Sequence, residues 1–410
     1  MRTLGIVGLV GLMVGCGVAS SPSRAPQSVA GYPGGASGAA EASGGAASEA
    51  MADAPSSITS TTPSPEPGAA ASKAATPMPG APMPAATPPA PPSSDAQPMP
   101  IVPSRPVGTA LPRSGQLTAG IWDDNRNFDF WKPYATSFTE SHGSDFVMFS
   151  QTELVEARAA AAAQQAPRTE LDVQLVLDTT GSMGDELSYL QSEFDSIATQ
   201  VRTKFPNVTP RWSLVVYKDH GDEYVAKGFE FTTDTNKFRQ SLRAQSAGGG
   251  GDTPEAVVEG LSTGMKQQWR TAPNVAKLAF WVADAPAHPG EGQKLGTVIR
   301  DAKKKGVHIY PVASSDADES AEYQMRAAAQ MTSGRYVFLT NDSGIGNGHA
   351  EPHIPCYNVS RLDHAIVRMI QVEMTGRFVD ADARQVIRSV GRPNQEGKCQ
   401  LASGMLVASY

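Results

Sequence analysis

Residues 278–283 are six consecutive apolar positions that stop on Asp284, and this run constrains the fold more than any other feature of the chain. A strand that is apolar at successive positions must be covered on both faces, as in a parallel sheet with helices on either side. Residues 171–177 make a second mainly apolar strand, and it too stops on an aspartate, Asp178. After it, Met183, Leu187, Leu190, Phe194, Ile197 and Val201 fall at alternating steps of four and three, the pattern of a helix with one buried stripe. Further strands are predicted over 212–217, 229–231, 308–313 and 335–340. Helices are predicted over 236–244, from about 252 to 267, and over 293–305, 319–331 and 362–374. Strands alternating with helices in this way predict an α/β domain, a doubly wound, mostly parallel sheet flanked by helices.

The loop after the first strand carries the chemistry. Asp178, Thr180 and Ser182 alternate, so a bent backbone turns all three oxygens to one side. Hard oxygen donors suit Mg2+, and ligands of open α/β sheets bind beyond the carboxyl ends of the strands. Thr253 follows the glycine run 248–251 at another strand-to-helix switch, and Asp284 ends a third strand. Taken singly, each has an ordinary explanation. Ser182 with Asp185 makes a capping box, Thr253 before Pro254 an N-cap, and Asp284 a turn cap. Taken together, three elements at three strand ends favour a metal site.

In this order, these residues resemble the metal-ion-dependent adhesion site of the von Willebrand factor A domain. Asp178-x-Thr180-x-Ser182, Thr253 after its glycine-rich turn, and Asp284 at a later strand end match that pattern. The spelling Asp178-Thr-Thr-Gly-Ser-Met183 with Gly-Asp252-Thr253-Pro254-Glu255 is closest to the hemicentin-like and bacterial surface branch. Thr180 stands where serine is commoner and keeps the hydroxyl. The resemblance covers 167–376 and implies a Rossmann-like fold with Mg2+ or Mn2+ bound directly by Thr180 and Ser182. It implies that Thr253 joins on ligand engagement, and that Asp178 and Asp284 act mainly through water. The implied function is metal-bridged binding of a protein ligand that offers an Asp or Glu carboxylate, without catalysis. One alternative is an envelope scaffold protein with a vestigial site. A Mg2+-dependent phosphohydrolase is another, since Asp178-Thr-Thr-Gly-Ser is also like the Asp-x-x-Gly-Thr of haloacid-dehalogenase-type enzymes, where the Asp is the nucleophile. Against it, Asp284 is followed by Ala-Pro-Ala with no second acid. No Gly-Lys-Ser/Thr follows the glycines, and there is no Gly-x-Ser-x-Gly elbow.

The remaining sequence frames this domain. Met1-Arg2 precedes an apolar run too short to span a bilayer, which ends in Met13-Val14-Gly15-Cys16. Residues 1–16 resemble a bacterial lipoprotein signal. That implies cleavage after residue 15, lipid on Cys16, and a membrane-anchored place in the cell envelope. Gly17, where an Asp would mark inner-membrane retention, favours the outer membrane if the cell is Gram-negative. Residues 16–113 are dominated by Ala, Pro, Gly and Ser and cannot bury a core. They read as a disordered linker of roughly 50–60 Å root-mean-square span. The net charge of −7 gives no support to a nucleic-acid partner.

Residues 114–166 form an aromatic accessory segment and an Ala-rich connector, expected to cover a sheet edge or helix face. Its Asp123, Asn125 and Asn127 are spaced like an EF-hand loop, yet Phe128 occupies the required glycine and Tyr134 the required glutamate. Residues 377–410 are a C-terminal extension. With Cys16 assigned to lipid, Cys356 and Cys399 are an even pair in an exported chain. They either pair, closing a loop worth about 4 kcal/mol on the chain-entropy model, or stay as buried thiols. His349, His353 and Cys356 have zinc-like spacing, but Cys399 is the more natural partner of Cys356.

Overall fold

The protein is described by a computed structural model over residues 116–163, 165–251, 253–345, 348–349 and 352–410. The signal segment 1–15, Cys16, the linker 16–113 and Asp252 lie outside the described residues. Among the described residues no helix is long and apolar enough to cross a membrane. In chain order the elements are β1 (Thr118–Trp122), α1 (Phe128–His142), α2 (Gln151–Ala162), β2 (Glu170–Asp178), α3 (Gly184–Lys204), β3 (Arg211–Tyr217) and β4 (Ala226–Thr232). They continue with α4 (Thr235–Arg243), α5 (Val257–Lys266), β5 (Val275–Ala283), α6 (Gly292–Lys305), β6 (His308–Ala313) and α7 (Glu319–Thr332). The last are β7 (Tyr336–Leu339), β8 (Tyr357–Arg361), α8 (Leu362–Thr375), β9 (Arg388–Val390), β10 (Lys398–Gln400) and β11 (Leu406–Ala408).

The main sheet runs β4-β3-β2-β5-β6-β7-β1-β8-β9, and β10 and β11 form a separate hairpin. From β3 to β7 the five neighbouring strands are parallel. β4 and β1 run against their neighbours. Successive strand residues point to opposite faces, so an apolar run feeds two cores. Leu175, Leu177, Leu214, Phe280 and Val282 pack with α3, α4 and α8, while Val176, Val215, Ala279, Trp281 and Ile309 pack with α5, α6 and α7. The chain leaves β2 toward β3 and β4, then returns to β5 on the other side. That reversal makes the carboxyl end of β2 the topological switch point.

The structure departs from the expected elements in two instructive places. Residues 253–256 stay out of α5, because the Glu255 N–H donates to the Pro286 carbonyl (3.0 Å) and the Ala256 N–H to the Lys218 carbonyl (3.2 Å). Helix α5 therefore starts at Val257. The accessory segment, expected to cover an edge or a helix face, enters the sheet instead: β1 is paired with β7 on one side and β8 on the other. Gly120 permits this, since a Cβ there would collide with the Phe338 ring and approach Tyr357 to 2.9 Å. The oxygens spaced like an EF-hand are spent inside the protein. Asp123 Oδ1 accepts the N–H groups of Asn125 and Arg126, Asp123 Oδ2 accepts from Arg335, and Asn127 Oδ1 accepts the Ala408 N–H at 2.7 Å. Cys356 and Cys399 form a disulfide that joins β8's approach to β10.

Candidate metal centre

Asp178 is the last residue of β2, and the strand register sets it opposite Tyr217 of β3 and next to the end of β5, where Leu177 faces Val282. Asp284 follows that end directly. The loop after Asp178 makes one tight helical turn at Gly181–Met183 before α3. Asp178 Oδ1 accepts both the Thr180 backbone N–H (2.9 Å) and the Thr180 hydroxyl (2.7 Å), and Thr180 Oγ1 lies 3.4 Å from Ser182 Oγ. The alternating oxygens of the sequence thus converge. Ser182 is not a helix cap here, since no side chain caps α3.

The glycine-rich loop is zipped onto this turn. Gly181 N–H donates to the Gly249 carbonyl (3.0 Å) and Gly248 N–H to the Thr179 carbonyl (3.1 Å). The Lys218 ammonium binds the Thr179 carbonyl at 2.8 Å and the Gly248 carbonyl as well, tying the two loops together. Gly250 has φ +66°, and a Cβ there would sit 3.0 Å from Glu255 Oε1 and 3.1 Å from Thr180 Cβ. Only glycine combines that backbone with so close an approach. Thr253 is exposed in the same loop, and it is not the cap of α5, whose cap position is Ala256.

Electrostatics single out this point. Asp178 is 1% exposed. Burial, and then the charge of Asp284, push its carboxyl up to about 7 against the opposing bonds from Thr180 and Tyr217. Burial also raises Asp284, opposed by the Ser182 hydroxyl that faces it. Glu255, 4% exposed, is raised to about 8 by burial, then by Asp178, Asp219, Asp284 and Asp222. Asp178 Oδ2, Asp284 Oδ1 and Glu255 Oε2 are buried without a hydrogen-bond partner among the described residues. Lys218, the buried cation of this region, is spent on carbonyls. Clustered acids without a counter-charge are costly. Two convergent hydroxyls, with unpartnered carboxylate oxygens beside them, are the donor set that a small hard cation takes. The structure therefore brings Asp178, Thr180, Ser182 and Asp284 together and leaves Thr253 exposed near them.

Sequence reasoning gave Glu255 no role, although it lies in the same glycine-rich switch. It also passed over Asp219, His220 and His288, whose ligand atoms lie within 4.8 Å of one another. A looser form of the rule that found Asp178 and Asp284 reaches them: Asp219 and His220 lie two and three residues past β3, and His288 lies in the loop after β5. His349, His353 and Cys356 are dispersed. His349 Nδ1 lies 3.1 Å from Asn341 Oδ1, His353 Nδ1 lies 3.0 Å from Glu322 Oε2, and Cys356 is in the disulfide.

Residues 172–347 match the sequence model of the von Willebrand factor A domain. Over 198 residues, 43% of this chain, the sequence is 24% identical to an ariadne-like RING finger protein of Acanthamoeba polyphaga mimivirus. Over 143 residues, 34% of this chain, it is 28% identical to alpha-protein kinase vwkA of Dictyostelium discoideum. The chain spans about a fifth of the length of these two relatives, 19% and 22%. Among solved structures, BatB, a conserved hypothetical protein of Bacteroides thetaiotaomicron, aligns over 50% of this chain and 98% of its own, at 13% identity and a TM-score of 0.36. The pilus adhesin SpaC of Lactobacillus rhamnosus GG aligns over 42% of this chain and 28% of its own, at 12% identity and a TM-score of 0.32. Over residues 172–347 this chain is thus similar to a von Willebrand factor A domain, carried on a doubly wound, mostly parallel sheet.

Proposed function

We propose that this domain binds a protein partner through a divalent cation, Mg2+ or Mn2+, at the carboxyl end of β2. Thr180 and Ser182 bind the ion directly, Asp178 and Asp284 hold it mainly through water, and Thr253 joins when the partner engages. The observation that carries this reading is the pair of buried, unpartnered oxygens, Asp178 Oδ2 and Asp284 Oδ1, beside the two hydroxyls. When bound, the ion supplies an open position for one more anionic oxygen, which an Asp or Glu side chain of the partner fills. The chain's own residues orient and grip. Asp178 fixes the Thr180 hydroxyl, and the Gly249–Gly181 contact fixes the loop that carries Ser182. The role is binding rather than catalysis. The resemblance of residues 1–16 to a lipoprotein signal supports a lipid-anchored envelope protein, on the outer membrane in a Gram-negative cell, with residues 16–113 as its tether.

Calorimetric titration of Mg2+ and Mn2+ into the 410-residue chain, wild type beside Asp178→Ala, tests the site. Saturable Mg2+ binding in the wild type alone is expected, with Mn2+ weakened in the variant. A protein captured by the wild type should then be released by chelator and ignored by the variant. Equal titrations for the two proteins, or none for either, would remove the metal from the reading and leave a structural scaffold.

A further inference from the structure

We infer a second cation site of different chemistry beside the first: Asp219, His220 and His288 form a site for a transition-metal ion of the Zn2+ kind. The inference is independent of the Mg2+ reading above.

The site is built by the fold. Asp219 and His220 lie just past β3, and His288 lies in the loop after β5; β2 separates the two strands. Two strands that flank a third stand roughly 10 Å apart, so the loops must lean together over the end of β2 for these side chains to meet. The segment Glu255–Ala256 holds them there. Ala256 N–H donates to Lys218 of one loop, Glu255 N–H to Pro286 of the other, and Glu255 bridges to Ala287. Asp219 is fixed in turn, because its N–H donates to Asp222 Oδ2 at 3.1 Å. As a result Asp219 Oδ1 lies 2.6 Å from His288 Nε2, and the rings of His220 and His288 are 5.3 Å apart.

The donor set selects the ion. Two imidazoles and one carboxylate are a common zinc triad that leaves a fourth position open, whereas Mg2+ prefers oxygen alone. An ion would take the place of the hydrogen that now links Asp219 to His288. His220 is exposed and His288 partly so, which leaves the ion a path in. Two further acids surround the triad. Glu259 Oε1 stands 3.8 Å from His220 Nε2, while Glu259 Oε2 is buried without a hydrogen-bond partner among the described residues. Glu255, with its own unpartnered oxygen, lies within the fields of both Asp219 and Asp178. Both add negative charge around the triad, and Glu259 stands close enough to His220 to serve as an outer carboxylate once the ring turns to the ion.

The test is titration of Zn2+ into the 410-residue chain with excess Mg2+ present, followed by Co2+ as a spectroscopic stand-in. Wild type and Asp178→Ala should each take up one Zn2+ and give visible d–d absorption with Co2+. His220→Gln and His288→Gln should each weaken Zn2+ by more than the roughly 10–100-fold typical of losing an outer-shell partner, and lose the Co2+ bands. His220 is exposed, so His220→Gln should melt with the wild type and report binding alone. Zn2+ affinity unchanged in both histidine variants would overturn the inference. So would loss of Zn2+ in Asp178→Ala, or displacement of Zn2+ by Mg2+.

Discussion

Glu193 lies on α3 at 4% exposure, with Oε1 accepting the Leu117 N–H at 2.8 Å and Oε2 buried without a hydrogen-bond partner among the described residues. Burial, opposed by that Leu117 bond, raises its carboxyl to about 7. Between the ordinary glutamate range and pH 7 the folded chain therefore holds a proton that the unfolded chain has released. The stabilisation is complete below the unfolded value and is lost as the pH rises through 7, by about 2–3 kcal/mol. Glu193→Gln keeps the acceptor and has no proton to lose, so its stability should decline less than that of the wild type, the raised Asp178 and Glu255 contributing equally to both. Denaturant unfolding at pH 5 and pH 8 decides this, and parallel declines in both proteins would sink it. The same scale shows what could be read in advance. Asp178, Thr180, Ser182 and Asp284 were legible because strand ends and local alternation mark them. Glu255, Asp219 and His288 were not. Asp219 and His288 follow strand ends too but stand two and five residues beyond them, outside any local alternation. Glu255 sits within a loop that a hydrogen bond to Pro286 holds in place.

Helix α5 shows how elements, rather than single residues, set the geometry of the centre. Gly260 and Gly264 lie one helical turn apart and face Tyr217 and Gln174, so the helix rests directly on β3 and β2. A Cβ at Gly260 would come within 2.5 Å of Tyr217 Cδ1. Gly260→Ala gains about 1 kcal/mol in helix propensity, whereas overpacking of a close contact costs roughly 1–3 kcal/mol. The clash should win, because Tyr217 is fully buried and its hydroxyl accepts the Trp281 indole N–H at 3.0 Å. A lower denaturation midpoint is expected, and a midpoint at or above that of the wild type would refute the packing argument. Most strands and helices were visible as periodicities of two and of about 3.6. The start of α5 and the place of β1 were not. Both follow from backbone partners elsewhere in the chain: Pro286 and Lys218 for α5, and residues around 338 and 359 for β1.

At the scale of the whole molecule, the segments flanking the matched residues are stitched into them. Buried Arg326 of α7 binds Asp124 at 2.7 Å and Glu322 at 2.8 Å, and Trp122 donates to the same Asp124. The disulfide Cys356–Cys399 spans a separation of 43 residues and fastens the C-terminal hairpin. Cys399→Ser should lower stability by roughly 4 kcal/mol on the loop-entropy model. Reductant should bring the wild type down to the variant and leave the variant unchanged, and a wild type indifferent to reductant would contradict the assignment. That the aromatic segment docks was expected, but that it enters the sheet as β1 was not legible, since it lacks the strand–helix alternation of the centre. The antiparallel course of β1 has a mechanical consequence. Ala119 lies opposite Leu339, so β1 begins at the rim where the parallel strands end, the same rim that holds Asp178. Tension applied through the preceding chain therefore enters the sheet at this rim, at the first residues that β1 pairs with β7 and β8. A load shared between that point and a grip at Asp178 travels sideways along one rim, through β7, β6 and β5, and leaves the opposite ends of the strands slack.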